Sequence, residues 1–343
     1  MSKRPKRIGI LTAGGDCPGL NAAIRGVGKT AIVKHGMEVI GISEGFLGLI
    51  NRNYFSLEEK MLSGILTLGG TILGTSREKP FKKKGVLSID KPKIIKENYN
   101  KLGLDCLVCI GGNGTMKTAA KLSEEGLNVI GLPKTIDNDV WGTDQTFGFD
   151  SALSIATDAI DRLHSTANSH KRIMVIEIMG HDAGWLTLYA GMAGGGDVIL
   201  IPELDYDIEI VNAYLNERSR KEKPYSIVVV AEGIDKPKNQ SAASYISEKI
   251  EEGTGMETRK TILGYIQRGG SPTPMDRILA TRFGAYAVDL IAEGDYNKMV
   301  IKKGEKTRAI PLSEVGGKLR LVPPDHSLIR KARGLDVCLG EKK

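Results

Sequence analysis

Residues 129–139 read V-I-G-L-P-K-T-I-D-N-D. An apolar run reaches Leu132, and Pro133 follows with no N–H to donate, so a strand is expected to end there. Beyond it stand Lys134, Thr135, Asp137 and Asp139. Open α/β sheets collect ligands in the crevice outside the carboxyl ends of their strands. Asp137 is therefore a candidate general base and Asp139 a second carboxylate. Two residues apart in extended chain, they would point the same way and could hold a divalent cation. On these residues alone, a solvated acidic loop stays open as the other reading.

The surrounding chain supplies the sheet. Residues 7–12 form a β-rich apolar run, followed by the turn Gly14-Gly15. Asn21 is placed to cap a helix over 22–34, and 38–42 reads as the next strand. Strand, glycine turn, helix, strand is the βαβ unit of a parallel sheet. The pattern returns as a strand at 105–110, the turn Gly111-Gly112-Asn113-Gly114-Thr115, a helix over 116–125 and a strand at 128–132. Further strands are expected at 173–178 and 226–231, and amphipathic helices over 151–167, 208–221 and 279–292. The fold class is α/β, read as two doubly wound, Rossmann-like domains with largely parallel sheets. At 343 residues the chain suits two domains of the usual size of about 100–200 residues.

Composition narrows the function. Hydrophobic residues are 41% and charged residues 26%, an ordinary globular balance. No apolar run approaches the roughly 20 residues of a membrane span. The basic N-terminus leads straight into a strand with no long apolar h-region, so a cytoplasmic enzyme is expected. The tail 341–343 is expected to fray. Net charge is +7, but aromatics are only 5% and no basic stretch interleaves them, so nucleic acid is not the expected partner. Cys106 and Cys109 form C-x-x-C inside an apolar run. Three apart in a strand, they face opposite ways and cannot share one ion, so a buried structural pair is expected.

Candidate chemistry lies in the turns. Both glycine turns fall between a strand and a helix, where bare backbone can approach a phosphate and the helix offers free N–H groups. Either alone could be only a tight turn; two at β-to-α junctions strengthen the anion reading. Neither is a Walker A sequence. Arg77, Arg172, Arg259 and Arg268 offer the planar fork that suits phosphate oxygens.

Taken in order, Gly14-Gly15-Asp16-x-Pro18-Gly19-x-Asn21, Gly111 to Thr115, Pro133 to Asp139, Val175-x-Glu177-x-Met179-Gly180 and Leu263 to Pro272 resemble the 6-phosphofructokinase family. The resemblance runs from about Lys6 to Arg330. It implies phosphorylation of fructose 6-phosphate on its 1-hydroxyl, with Mg²⁺ as cofactor. Asp137 would be the base, Thr135 would touch the transferring group, and Asp139 with Asn113 would place the metal. Gly14, Gly15, Arg77, Gly112, Asn113, Gly114 and Thr115 would hold the donor, with Arg77 also serving catalysis. Thr135, Ile136, Asp137, Met179, Gly180, His181, Glu232, Tyr265, Ile266 and Gln267 would contact the sugar phosphate. Arg172, Arg259 and Arg268 would bind its 6-phosphate, the first two from a neighbouring subunit. A homo-oligomer, dimer or tetramer, is thereby implied. The chain is expected to divide into a donor domain, 1–148 plus about 267–312, and a sugar-phosphate domain, 149–266 plus about 313–335.

Three positions depart from the family pattern: Asn113 replaces an aspartate, His181 an arginine and Tyr265 a histidine. The donor rests on two more. Relatives using pyrophosphate carry an acidic residue where this chain has Gly114, and a lysine matching Lys134; ATP users have glycine at both. An aspartate at 114 would crowd and repel an α-phosphate, so Gly114 points to ATP, with pyrophosphate as the alternative. A basic effector site in bacterial relatives is matched by Arg25, Lys221 and Lys223, whereas Lys29, Glu59 and His164 stand where arginines are common. Weak or absent response to anionic effectors is expected. Two rivals have less support. Other kinases with a similar glycine turn lack the Pro133–Asp139 stretch, and a non-catalytic subunit would have lost the base or the arginines.

Overall fold

The computed structural model describes residues 4–82 and 89–342. The chain divides into two compact units: Met1–Thr135 with Asp139–Asp150 and Arg268–Leu319, and Ile136–Asn138 with Ser151–Gln267 and Arg320–Lys343.

Among its described residues the first unit carries an eight-stranded sheet. Its centre is parallel, in the order Val129–Thr135, Cys106–Gly111, Arg7–Thr12, Glu38–Ile42. On one side Lys298–Lys303 joins Val129–Thr135 in parallel and turns back antiparallel as Lys306–Pro311; on the other the short strand Tyr54–Ser56 pairs antiparallel with Glu38–Ile42. The central strands are buried and rich in Ile, Val and Leu, as strands covered on both faces must be. Strand order reverses between Arg7–Thr12 and Cys106–Gly111. The two glycine turns therefore leave neighbouring strands at the topological switch point.

Two helices of this unit, Leu20–Lys29 and Pro274–Glu293, pack backbone to backbone. A Cβ on Gly26 would lie 2.8 Å from the Thr281 carbonyl oxygen, and one on Gly284 only 2.6 Å from the Val27 nitrogen. The longer helix has Thr273 as cap, Pro274 in its first turn and Gly294, φ 79°, at its end.

The second unit holds a four-stranded parallel sheet in the order Thr258–Ile262, Ile173–Ile178, Ser226–Ala231, Val198–Leu200. Helices Phe149–His170, Trp185–Ala193, Ile208–Arg220, Ala242–Thr254 and Ser327–Gly334 accompany it. Val175, Val198, Val228 and Val230 join Ile246 and Ile250 in its core. Thr258–Ile262 is an edge strand that is mostly exposed beyond its buried first residue, unlike the buried strand Ile173–Ile178 beside it.

Several sequence expectations need correction. The strand at 129 does not stop at Pro133 but runs to Thr135, with Gly111 opposite Pro133. Its outer side is paired by Lys298–Lys303 only as far as Gly131, and by Phe147–Gly148 from Lys134. Pro133 falls in the gap between those partners, where a missing N–H is tolerated. Asn21 is not a cap. Gly19, φ 100°, precedes the helix, and the Asn21 amide ties down the loop at Leu68, Gly69 and Ile72. That helix is α-helical only to Lys29, continuing as a π-turn over Thr30–Lys34. Three other helices run longer than read: Asn113–Glu124 begins inside the glycine turn, Phe149–His170 extends the expected 151–167 at both ends, and Pro274–Glu293 gains a turn at its start; Ile208–Arg220 stops one residue short of the expected 221. The tail is held where described, because Arg333 grips both oxygens of Glu341; Lys343 lies outside the described residues. Cys106 and Cys109 are fully buried free thiols, and burial raises both their pKa values. That disfavours the thiolate a metal needs.

Candidate active site

In the first unit the two glycine turns are stitched together. The Ala13 N–H donates to Ile110 at 3.0 Å, and the Thr115 hydroxyl to the Ala13 carbonyl at 3.3 Å. Gly14, φ 88°, adopts the left-handed geometry that favours glycine. Its N–H donates to Ser76 at 2.9 Å, and its carbonyl accepts from Thr75 at 2.7 Å. These bonds draw the segment carrying exposed Arg77 against the turn. Two cations converge on Gly15. The buried Lys134 ammonium donates to its carbonyl, and the Arg268 guanidinium carbon lies 3.2 Å from where a Gly15 Cβ would stand. Arg268, expected on the sugar phosphate, is thus found beside the donor turn.

Gly112 precedes the helix Asn113–Glu124, so Asn113, Gly114 and Thr115 form its first turn, at the positive end of the helix dipole; the Thr115 N–H turns back to the Gly112 carbonyl at 2.9 Å. A Cβ on Gly114 would meet nothing within 4 Å, and Gly114 is not among the residues with positive φ. Neither packing nor backbone geometry demands glycine there.

Asn113 and Asp139 form a pair. The amide nitrogen donates to the Asp139 carboxylate at 2.6 Å and to its carbonyl at 3.2 Å. This leaves Asn113 Oδ1 buried and without a hydrogen-bond partner, which is costly for a polar oxygen. Asp137 and Asp139 do not alternate along a strand as expected. Asn138 between them takes φ 53°, and the chain passes into the second unit at Ile136 and returns at Asp139.

In the second unit the turn Ile136–Asn138 is buried except for the half-buried Asp137. The expected sugar-contact residues follow the carboxyl ends of two adjacent strands. Met179 is buried, and Gly180 and His181 donate their N–H groups to Glu232 Oε1 at 3.2 and 2.9 Å. His181, φ 52°, is exposed and pairs with Asp182 at 3.0 Å. Arg172 and Arg259 are brought together by a residue that the sequence reading passed over. Glu257 accepts from Arg172 Nε at 2.6 Å with one oxygen and from Arg259 with the other. Tyr265 and Ile266 are 74% and 69% exposed, whereas Gln267 is fully buried. Glu203, Trp185 and Arg320 also went unread: Glu203 accepts from the Gly184 and Val322 N–H groups, and burial raises its pKa.

Glycine turns suited to anions at a switch point, gathered cations and a half-buried carboxylate in a tight turn define an α/β protein built to handle phosphoryl groups. Residues 7–291 match the family described as Phosphofructokinase, and the chain belongs to it. It is 63% identical to ATP-dependent 6-phosphofructokinase 3 of Bacteroides thetaiotaomicron over 97% of this chain and 100% of that one. It is 56% identical to ATP-dependent 6-phosphofructokinase of Spirochaeta thermophila, covering 99% of each. Among solved structures, Pichia pastoris phosphofructokinase in the T-state superposes with TM-score 0.83 at 33% identity, over 91% of this chain and 35% of that one. The pyrophosphate-dependent phosphofructokinase of Nitrosospira multiformis gives TM-score 0.85 over 98% of this chain and 93% of that one. At 21% identity it speaks to the fold alone.

Proposed function

We infer that this chain catalyses phosphoryl transfer from ATP to the 1-hydroxyl of fructose 6-phosphate, giving fructose 1,6-bisphosphate and ADP. The observation that carries the donor choice is Gly114. The fold requires no glycine there, so a bare first turn is best explained by what must pass close to it, the α-phosphate of a nucleotide. Lys134 does not argue strongly for pyrophosphate, because its ammonium is engaged by the Gly15 carbonyl.

Asp137 serves as general base, taking the proton of the attacking hydroxyl, with Thr135 next to the transferring group. Gly14, Gly15, Arg77, Gly112, Asn113 and Thr115 hold the donor phosphates. Mg²⁺ fits the Asn113–Asp139 pair, where a carboxylate stands beside an oxygen acceptor with no partner of its own. Asn113 and Asp139 are the residues that would hold the ion, and among the described residues no cluster of three or more His, Cys, Asp or Glu side chains forms an alternative metal site. Bound there, Mg²⁺ supplies positive charge against the phosphate oxygens.

Met179, Gly180, His181, Glu232, Tyr265, Ile266 and Gln267 orient the sugar. Arg172 and Arg259 serve the 6-phosphate of a second copy across an oligomer interface. In support, Arg259 lies on the edge strand Thr258–Ile262, followed by exposed Ile262, Tyr265 and Ile266, and Arg172 is tied to it through Glu257. Weak anionic regulation is supported by local pairing: Lys29 meets Glu59 at 3.1 Å and Lys221 meets Glu217 at 2.6 Å. His164 bonds Tyr225 and the Gly194 carbonyl. Among the described residues no helix is long and apolar enough to cross a membrane, and the proposed setting is the cytoplasm.

The test is donor choice. With fructose 6-phosphate and Mg²⁺, the purified chain forms fructose 1,6-bisphosphate from ATP and not from pyrophosphate. Product only with pyrophosphate overturns the donor, and product with neither overturns the reading.

A further inference from the structure

The second unit holds the turn of Asp137 from a direction that no motif announces. Asn138, immediately after the carboxylate, is 4% exposed and left-handed, a geometry that asparagine tolerates better than most non-glycine residues. Its carbonyl accepts from Arg320 Nη1 at 2.9 Å. Arg320 is itself clamped at two points. Its guanidinium carbon lies 3.9 Å from the ring centroid of Trp185, and the Trp185 indole N–H donates to the Arg320 carbonyl at 2.9 Å. Trp185 is 2% exposed, with His326 set edge-on against it at 5.2 Å and 90°. Two residues on, the Val322 N–H is held by Glu203, the same carboxylate that receives the Gly184 N–H at the end of the sugar loop.

We propose that Arg320 is a positioning residue for phosphoryl transfer: locked by Trp185, it holds the Asn138 carbonyl and so sets the attitude of the Asp137 carboxylate. A guanidinium suits this task, being a flat, permanently charged fork that stacks on the indole while it donates. Small displacements of a reacting group are expensive, about 100-fold for about 1 Å. The inference rests on Asp137 being the base.

The test is a double-mutant cycle on the full chain, with kcat and both KM values measured for each variant. Arg320→Met keeps the aliphatic stem against Trp185 and removes the donor. It lowers kcat about 10–100-fold, leaving the KM for ATP within about twofold. Arg320→Lys restores part of kcat, because an ammonium can still reach a carbonyl but does not stack as a plane. In an Asp137→Asn background, Arg320→Met costs about twofold or less, since a base that is gone cannot be misplaced. A full penalty in that background, or an unchanged kcat in Arg320→Met alone, overturns the proposal. If Asp137→Asn by itself leaves kcat intact, the base assignment has failed, and the positioning role falls with it. Should Arg320→Met not fold, Trp185→Phe carries the same cycle: it keeps an aromatic face and gives up the indole donor, and a kcat loss there that vanishes in Asp137→Asn supports the account.

Discussion

The glycine turns of the first unit, proposed to hold the donor, and the arginine pair of the second, proposed to hold the 6-phosphate, are held in different ways. Around Ala13, Gly14 and Gly15, hydrogen bonds are made with the Ser76 backbone and with the buried or half-buried side chains of Thr75, Thr115 and Lys134. That cradle is finished by folding. In the second unit, Arg172 and Arg259 stand at a sheet edge and share Glu257, and their side chains are 31% and 53% exposed. One partly exposed carboxylate offsets only one of their two positive charges, and a phosphate can replace it. One half is therefore held as a rigid mould and the other as a partly exposed charged edge, which is the half that the proposed second copy would complete.

The contrast can be broken most sharply at Gly114. Gly114→Asp places a carboxylate at the helix start, where like charge against phosphate costs several kcal/mol. The KM for ATP should rise about 100-fold or more while that for fructose 6-phosphate changes little; an unchanged ATP KM would remove the reason for glycine there. Next comes Lys134→Met, which strips a charged hydrogen bond of about 1.5–3 kcal/mol from Gly15. The ATP KM should rise about tenfold, and a gain of pyrophosphate use would contradict the structural role of this lysine.

On the charged edge the sign reverses. Glu257→Gln frees Arg172 and Arg259 from a partly exposed pairing worth about 1 kcal/mol at most. The KM for fructose 6-phosphate should fall about two- to fivefold; a rise would mean that Glu257 orders the arginines instead of competing for them.

The smallest effect is on stability. Burial, and then the charge of Arg320, hold the pKa of His326 below its usual 6.5. The unfolded chain therefore binds the proton first as pH falls. Stability is full above about pH 6.5 and declines as pH drops toward the folded value. Thermal melts of wild type and His326→Gln should diverge only below that pH, and parallel curves would exclude the effect.

Much of this was legible in the sequence because it is local. Strand, glycine turn and helix sit next to one another along the chain, so the βαβ grammar and the two phosphate turns could be read from spacing. Pro133 misled because its tolerance depends on a change of neighbour between Lys298–Lys303 and Phe147–Gly148, which no local pattern displays. Asn21 looked like a cap and proved to be a loop tie, since a buried amide bonds wherever the tertiary structure offers partners. Arg320 lies 182 residues from the carbonyl it holds, in a stretch with no motif. Glu257 was adjacent to Arg259 all along; what the sequence lacked was the closure of the sheet edge that brings Arg172 to it.

The central claim is that Asp137 activates the sugar hydroxyl for attack on ATP. It is tested most directly by following label from [γ-³²P]ATP into fructose 1,6-bisphosphate with wild type and Asp137→Asn side by side at saturating substrates. The account predicts label at the 1-phosphate with wild type, and a rate lower by about 10²–10⁴ in the variant with KM values little changed. Equal rates in the two proteins, or no labelled product from wild type, would contradict it.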